Sequence, residues 1–178
     1  MPPSNFRDVG ETLALWLDPS PLPAGRLLRG GRLDALTRWS ELGSPATILN
    51  LRRGPDQRTL SEVQYLHVPA ANQLENYDTS ARRVRVWLQD VLAVLADPAT
   101  GWPVYLHCTS GRDRTGIVVA AVLVLLAVPR QVIVEEYLLS EGARPGPIQR
   151  ALDGLLSGQG GLGVSPERLR AALTGRRA

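Results

Sequence analysis

Short apolar runs alternate with longer helical patterns along this chain of 178 residues. The runs at residues 26–29, 46–51, 65–68 and 103–107 are bounded by turn-forming or polar residues, and they predict short strands. Across residues 79–96 the apolar positions recur at three- and four-residue spacings, which is typical of a helix with one buried face. The pattern therefore predicts a sheet whose strands are joined by helical segments.

The most apolar segment, residues 116–127, is hydrophobic on every side and predicts a helix at the centre of the domain. Further helical patterns cover four other segments, which are residues 33–42, 130–140, 147–156 and 166–173. Gly43 is placed to end the first of these helices, and the glycine-rich residues 157–163 predict a flexible connection. Strands alternating with helices predict an α/β fold, with a parallel-centred sheet flanked by α-helices on both faces.

The composition is that of a globular protein without metal or disulfides. The length predicts one domain over residues 1–178, and a single cysteine excludes an intrachain disulfide, which fits a reducing cytoplasm. Two histidines and one cysteine are too few for a usual structural zinc site, so we expect no metal and no cofactor. The longest apolar run, residues 117–128, is shorter than the about 20 residues of a transmembrane helix. We therefore expect a cytoplasmic protein without a transmembrane segment.

The charge pattern adds little to this picture. The net charge is +3, and all 20 basic residues are arginine. Guanidinium groups bind phosphate through paired hydrogen bonds, but codon usage in a GC-rich genome explains the same composition without any function. We find no basic helix with interleaved aromatic residues, so we expect no nucleic-acid partner.

The segment "HCTSGRDRTG", residues 107–116, joins a predicted strand to the predicted central helix and contains the only cysteine. Backbone N–H groups at a helix N-terminus bind phosphate, and the same positive field favours the thiolate form of Cys108. A thiolate below such a cradle can attack phosphorus and form a phosphocysteine. Arg114 can reach back to bind two phosphate oxygens, and the Thr115 hydroxyl can hydrogen-bond the sulfur when it leaves.

This segment resembles the His-Cys-x5-Arg-Thr-Gly signature of the protein tyrosine phosphatase superfamily. The stretch "NFRDVG", residues 5–10, resembles the Asn-Phe-Arg-Asp-Leu-Gly opening of its bacterial atypical tyrosine and dual-specificity branch. "TILNLR", residues 47–52, resembles the strand of that branch that ends in Asp-Leu-Arg, with Asn50 replacing the aspartate. The resemblance covers about residues 5–140, which leaves 141–178 as C-terminal helices and a tail.

The resemblance implies a metal-free, cysteine-dependent phosphomonoesterase with a fold like that of the dual-specificity phosphatases. It implies that Cys108 is the nucleophile and Arg114 the phosphate clamp. The remaining phosphate-binding positions it implies are Thr109, Ser110, Gly111, Arg112 and Asp113. Two departures from the family pattern are Glu11, where a second glycine is common, and Arg112, where many members have lysine.

A general acid must protonate the leaving oxygen, and two aspartates are candidates. Asp78 precedes Cys108 by 30 residues (108 − 78), about where dual-specificity members place their acid, but it is equally suited to cap the following helix. Asp113 resembles the loop aspartate that is assigned as the acid in myotubularin-type lipid phosphatases. Alternatively, it is a structural carboxylate that pairs with a neighbouring arginine. Glu75 is a third choice.

Other polar residues receive more ordinary predictions. His107 is expected to orient the loop through hydrogen bonds, and His67 to be a packed or surface histidine. Glu135 and Glu136 are expected on a solvated helix face. Residues 5–8 either brace the site from outside or form an ordinary N-terminal strand.

The sequence thus predicts a monomeric phosphatase that acts on a phosphorylated substrate. Phosphoproteins, phosphoinositides and soluble inositol phosphates all fit, and Tyr77 is one candidate for the wall of a phosphotyrosine pocket. The alternatives are a pseudophosphatase that binds phosphate without turnover, and a rhodanese-like sulfurtransferase. The second of these is disfavoured by His107, Arg114 and Thr115.

Overall fold

The sheet of this protein has five short strands. The computed structural model describes residues 1–34, 36, 38–57, 61–71, 73–157 and 161–175. The strands in chain order are β1 (Arg7–Asp8), β2 (Leu27–Gly30), β3 (Thr47–Asn50), β4 (Gln64–His67) and β5 (Val104–His107). Their order across the sheet is β1-β2-β5-β3-β4, in which β1 is antiparallel to β2 and every other pair is parallel. The carboxyl ends of β2, β3, β4 and β5 therefore lie at one edge of the sheet.

The helices agree with most of the predicted segments. They are α1 (Val9–Leu13), α2 (Arg82–Leu95), α3 (Asp113–Leu125), α4 (Arg130–Leu138), α5 (Pro145–Leu156) and α6 (Pro166–Thr174). Two 3-10 helices are also present, at Trp39–Leu42 and Leu74–Tyr77. None of the helices within the described part of the chain has both the length and the apolarity of a membrane span.

The two faces of the sheet are covered by different kinds of structure. All six α-helices line the larger core, and alternate strand residues face it. These strand residues are Leu27, Leu49, Val104 and Leu106. The strand residues between them, Leu28, Ile48 and Tyr105, face a smaller cluster with Leu33, Leu36 and Leu42. The predicted α/β fold with a parallel-centred sheet covered on both faces is confirmed, although the second cover contains a 3-10 helix in place of an α-helix.

The helix α3 lies at the centre of the larger core. Its residues from Ile117 to Leu123 are at most 1% exposed. Each fully buried Val, Leu or Ile side chain in this stretch stabilises the fold by about 1.5–3 kcal/mol. The predicted helix without a polar face is therefore confirmed, and its N-terminus is held in a fixed position against the sheet.

Local structure differs from the sequence prediction in three places. Of the helix predicted over residues 33–42, the described residues form only the 3-10 helix that ends at Gly43, whose φ is +72°. The helix α2 begins at Arg82 and not at residue 79, and its N-cap residue Ala81 has an extended backbone. The strand β1 lies within the N-terminal strand considered for residues 5–8, whereas the five-residue helix α1 has no counterpart in the sequence prediction. The predicted connection at 157–163 lies partly outside the described residues.

Candidate active site

The loop that follows β5 contains the predicted phosphate site. We call residues 108–114 the cradle loop; it begins at Cys108, directly after β5, and ends in the first turn of α3. Cys108 is a free cysteine and only 1% exposed. Among the described residues, none accepts a hydrogen bond from the backbone N–H groups of residues 109–114. These donors are available to an anion, as at other helix N-termini that bind phosphate.

Gly111 allows the cradle loop to pass close to the end of β2. Its φ is +73°, and a Cβ atom at this position would lie 2.3 Å from the carbonyl carbon of Gly30. Such a contact is far inside van der Waals distance, and the left-handed backbone adds strain for any other residue. Glycine at position 111 therefore permits the tight turn of the cradle loop.

Arg114 is held by the backbone of two neighbouring loops. Its Nη1 donates to the carbonyl oxygens of Leu51 and Ala70, at 3.2 Å in each case, and its Nη2 donates to Oγ1 of Thr109 at 2.9 Å. The residue is 2% exposed, and its Nε has no hydrogen-bond partner among the described residues. The guanidinium is therefore fixed in orientation while one buried donor remains available.

The hydroxyl of Thr115 is a second buried polar atom without a partner. Thr115 is 0% exposed, and its Oγ1 makes no hydrogen bond within the described part of the chain. Leaving a buried hydroxyl unpaired typically costs about 1–3 kcal/mol. An acceptor that came within reach of this hydroxyl would relieve this cost.

Asp113, the first residue of α3, is fixed by a chain of hydroxyl groups. The Tyr77 hydroxyl donates to Oδ1 of Asp113 at 2.6 Å, and it lies 2.6 Å from the Tyr137 hydroxyl. Burial, followed by the hydrogen bond to Asp113, raises the pKa of Tyr77 far above its usual range, so Tyr77 remains a donor. Arg112 also donates to both carboxylate oxygens of Asp113, at 3.1–3.3 Å. The arginine pairing considered for Asp113 is thus present, with Arg112 as the partner.

Asp78 faces α5. Its carboxylate accepts hydrogen bonds from Ser80 and from Arg150, the latter at 3.3 Å. The hydrogen bond from Ser80, followed by the charge of Arg150, lowers the pKa of Asp78. Asp78 does not cap α2, whose N-cap is Ala81. No hydrogen bond or ion pair joins Asp78 to the cradle loop within the described residues.

His107 is joined to an aspartate that the sequence did not single out. Its Nε2 lies 2.8 Å from Oδ2 of Asp56, and its Nδ1 lies 3.3 Å from the Cys108 carbonyl oxygen. Burial alone would raise the pKa of Asp56, but the hydrogen bond and charge of His107 and the charge of Arg52 outweigh it, so the pKa is lowered. Because the position of Asp56 in the loop after β3 has no distinctive pattern, only the fold reveals this pair.

Glu136 is not on a solvated face, so that prediction is wrong. Glu136 is 1% exposed, and its Oε2 lies 2.6 Å from Nη1 of Arg29, which is 0% exposed. Arg7 also donates to the Glu136 carboxylate, at 2.9 Å. A buried carboxylate requires such partners, and both are more than a hundred residues away in sequence. Glu135, by contrast, accepts a hydrogen bond from the exposed Gln131.

The remaining candidates lie outside the cradle loop. Glu75 pairs with Arg83 at the surface, and the ring of the exposed His67 lies 2.8 Å from the Arg52 carbonyl oxygen. The prediction of a surface histidine is confirmed. Within the described residues, no group of three His, Cys, Asp or Glu side chains is placed to hold a metal ion.

Comparison with known proteins identifies the family. The model of the tyrosine phosphatase family matches residues 3–175. The chain belongs to this family. A curated member, the triple specificity protein phosphatase PtpB of Mycobacterium tuberculosis, is 51% identical over 47 residues, or 26% of this chain. The match spans only 17% of the length of PtpB.

Solved structures with the same fold come from different branches of the phosphatases. The catalytic core of the PP-IP phosphatase SIW14 from S. cerevisiae, in complex with citrate, superposes with a TM-score of 0.59 at 20% identity, over 85% of this chain and 86% of that one. P. aeruginosa TpbA gives a TM-score of 0.53 at 20% identity, over 87% of this chain and 88% of that one. At such identities the likeness establishes the fold.

These comparisons confirm the predicted class of protein. The family match places the chain among the tyrosine phosphatases, and the structure of DUSP15, with a TM-score of 0.50 at 17% identity, agrees with the predicted dual-specificity-like fold. The roles predicted for individual residues of the cradle loop stay predictions.

Proposed function

We propose that this chain is a cysteine-dependent phosphomonoesterase that acts through a phosphocysteine intermediate, with Cys108 as nucleophile. One arrangement carries the proposal: a buried free cysteine begins a loop whose N–H groups have no acceptor among the described residues, and the fixed guanidinium of Arg114 is part of the same loop. A phosphate held there meets a nucleophile, a backbone cradle and a cation together.

The proposed reaction has two steps. The Cys108 thiolate attacks phosphorus, the P–S bond forms, and the ester P–O bond breaks as the leaving oxygen takes a proton from a carboxylic acid. Water then attacks the phosphocysteine, the acid's conjugate base accepts a proton from it, and the P–S bond breaks. The backbone N–H groups of Thr109, Ser110, Gly111, Arg112 and Asp113 and the guanidinium of Arg114 stabilise the charge on the phosphoryl oxygens. The Thr115 hydroxyl donates to the departing sulfur.

The proposed substrates are phosphate monoesters of proteins or of inositol-type compounds. The relatives support both classes, because one TpbA structure contains pTyr and SIW14 is described as a PP-IP phosphatase. We further propose that residues 1–178 form one catalytic domain of a bacterial, cytoplasmic protein that works as a monomer without a metal ion.

We assign the proton-donating role to Asp113. It belongs to the cradle loop itself, next to Arg114, and the Tyr77 hydroxyl fixes its Oδ1. Asp78 faces α5, where Ser80 and Arg150 donate to its carboxylate, and among the described residues no hydrogen bond joins it to the cradle loop. Asp78 stays the alternative, because closure of its loop over a substrate would bring it to the leaving group.

The two aspartates are distinguished by matched Asn variants. Asp113→Asn should reduce the rate on an alkyl phosphate roughly 100- to 10,000-fold, the usual loss when a general acid is removed. The loss should be smaller on p-nitrophenyl phosphate, whose leaving group departs without a proton. The decline in rate at high pH, where the acid is ionised before it can donate, should also disappear. Asp78→Asn should retain that decline. The opposite pair of pH–rate profiles would assign the role to Asp78.

The proposed activity is tested by phosphate release from a panel of tyrosine-phosphorylated peptides, phosphoinositides and soluble inositol phosphates. We expect turnover on at least one class without added metal and in the presence of a chelator. Binding of phosphate without turnover on any member would indicate a pseudophosphatase. Transfer of sulfur from thiosulfate to cyanide, with no phosphate release, would indicate a sulfurtransferase.

A further inference from the structure

The carbonyl groups of the cradle loop are hydrogen-bonded from outside the loop. Three successive carbonyl oxygens accept such bonds. The backbone N–H of Arg32 donates to Thr109 O at 3.1 Å, and Arg29 Nη2 donates to Gly111 O at 2.8 Å. Ser110 O accepts two bonds, from Asn5 Nδ2 at 2.7 Å and from Ser4 Oγ at 3.3 Å. All four donors come from β2, the residues directly after it, or the N-terminal segment before β1.

This anchoring determines where the N–H groups of the loop point. In a planar trans peptide the carbonyl of one residue and the N–H of the next point in opposite directions. A Ser110 carbonyl directed at Asn5 therefore aims the Gly111 N–H to the other side of the loop. The N–H groups of residues 109–114 find no acceptor among the described residues. Because the carbonyl groups of the cradle loop are held outward, the direction of its N–H groups is fixed toward the inside of the loop, where a phosphate would bind.

Asn5 has a side chain and a backbone suited to this contact. Its Nδ2 donates to Ser110 O at 2.7 Å, while its Oδ1 accepts from the backbone N–H of Glu141 at 2.8 Å. One amide group therefore joins the cradle loop to the connection between α4 and α5. Its φ is +56°, in the left-handed region that asparagine tolerates better than most residues. Asn5 also lies outside the hydrophobic core, so its role can be tested without disturbing the core.

We propose that Asn5 is a positioning residue for phosphate binding and turnover: its amide holds the Ser110 carbonyl outward and so aims the Gly111 N–H at the phosphoryl group. The role rests on the proposed function of the cradle loop. Since that N–H contacts the phosphoryl oxygens in both the bound substrate and the transition state, its loss should weaken anion binding and kcat/KM together.

Two variants of Asn5 test this role. Asn5→Gly suits the positive φ and removes both side-chain hydrogen bonds without adding charge. Asn5→Asp keeps the size and an acceptor for the Glu141 N–H, but it replaces the donor to Ser110 with an oxygen. We expect each variant to lower kcat/KM and to raise the inhibition constant for orthovanadate by about tenfold, since one oriented hydrogen bond is lost. The matched control Gln89→Glu makes the same amide-to-carboxylate change on α2, where Gln89 Nε2 donates to the Gly161 carbonyl at 2.8 Å, and it should change both quantities by less than about twofold.

Thermal unfolding and the two Asn5 variants together distinguish the positioning role from a loss of stability and from an effect of charge. Thermal midpoints of the three variants should stay close to that of the wild type, so a fall in kcat/KM that merely follows a fall in stability would overturn the role. A loss in Asn5→Asp with normal behaviour in Asn5→Gly would attribute the effect to the added charge and would overturn the positioning role as well.

Normal wild-type turnover with both Asn5 variants unaffected would overturn the positioning role alone. Wild-type protein that neither turns over nor binds orthovanadate would overturn the proposed function itself, and the role with it.

Discussion

Cys108→Ser is expected to abolish turnover while binding of inorganic phosphate partly survives. A serine hydroxyl is not ionised at neutral pH and is a poor leaving group from phosphorus, so the first proposed step loses its nucleophile and the second loses its leaving group. We expect a loss of about a thousandfold or more in kcat, which corresponds to ~4 kcal/mol of transition-state stabilisation. Phosphate should still bind, because the cradle consists mainly of backbone N–H groups and the Arg114 side chain.

The measurement combines steady-state phosphate release with calorimetric titration of phosphate into both proteins. Serine is close to cysteine in size, and the fold should tolerate it, which a thermal unfolding curve checks. Residual activity above a few per cent of wild type would contradict the thiolate mechanism. Loss of turnover together with complete loss of phosphate binding would mean that the anion is held chiefly through the sulfur.

Arg114→Lys is expected to reduce kcat/KM on the order of 100- to 1,000-fold, the range found when one preorganised donor to a developing oxyanion is removed. The guanidinium of Arg114 is held by the carbonyls of Leu51 and Ala70 on one side and by Thr109 on the other. An ammonium group cannot make these bonds and bind two phosphate oxygens as well. The substitution should therefore affect both the position of the charge and the geometry of the clamp.

Arg130→Lys is the matched control for this experiment. Arg130 lies at the start of α4 and pairs with the exposed Asp153 at 2.8 Å, away from the cradle loop. The same chemical change there should leave kcat/KM unaltered, because exposed ion pairs contribute about 0–1 kcal/mol to stability. Near-normal rates for Arg114→Lys would contradict the clamp, whereas equal losses in both variants would indicate a general effect of lysine on the fold.

Much of the architecture could be predicted because it depends on local pattern. The strand β5 is a short apolar run, α3 has no polar face, and Pro129 separates α3 from α4. Each of these features is produced by residues that are neighbours in sequence and is therefore visible in a window of a few residues. The position of the cradle loop could be predicted for the same reason, since the loop begins directly after β5 and ends in the first turn of α3.

The covering of the second sheet face has no comparable local signal. The apolar residues Leu33, Leu36 and Leu42, with Trp39 between the last two, recur at three-residue steps, yet the described residues there form a single 3-10 helix. The same three side chains can be buried by any backbone that turns them toward Ile48 and Tyr105. Periodicity identified which residues are buried but did not determine the backbone that buries them.

By itself, the sequence determined the nucleophile candidate, the clamp candidate and the class of enzyme, because these residues lie within one short segment between a strand and a helix. Only the tertiary structure decided what surrounds that segment. The ion pair with Arg29 places Glu136 in the interior, and the contact of the Asn5 amide with Ser110, 105 positions away, supports the bracing that was one of two roles considered for residues 5–8. Such contacts leave no trace in local spacing, since the energy of a hydrogen bond depends on distance in space and not on separation along the chain.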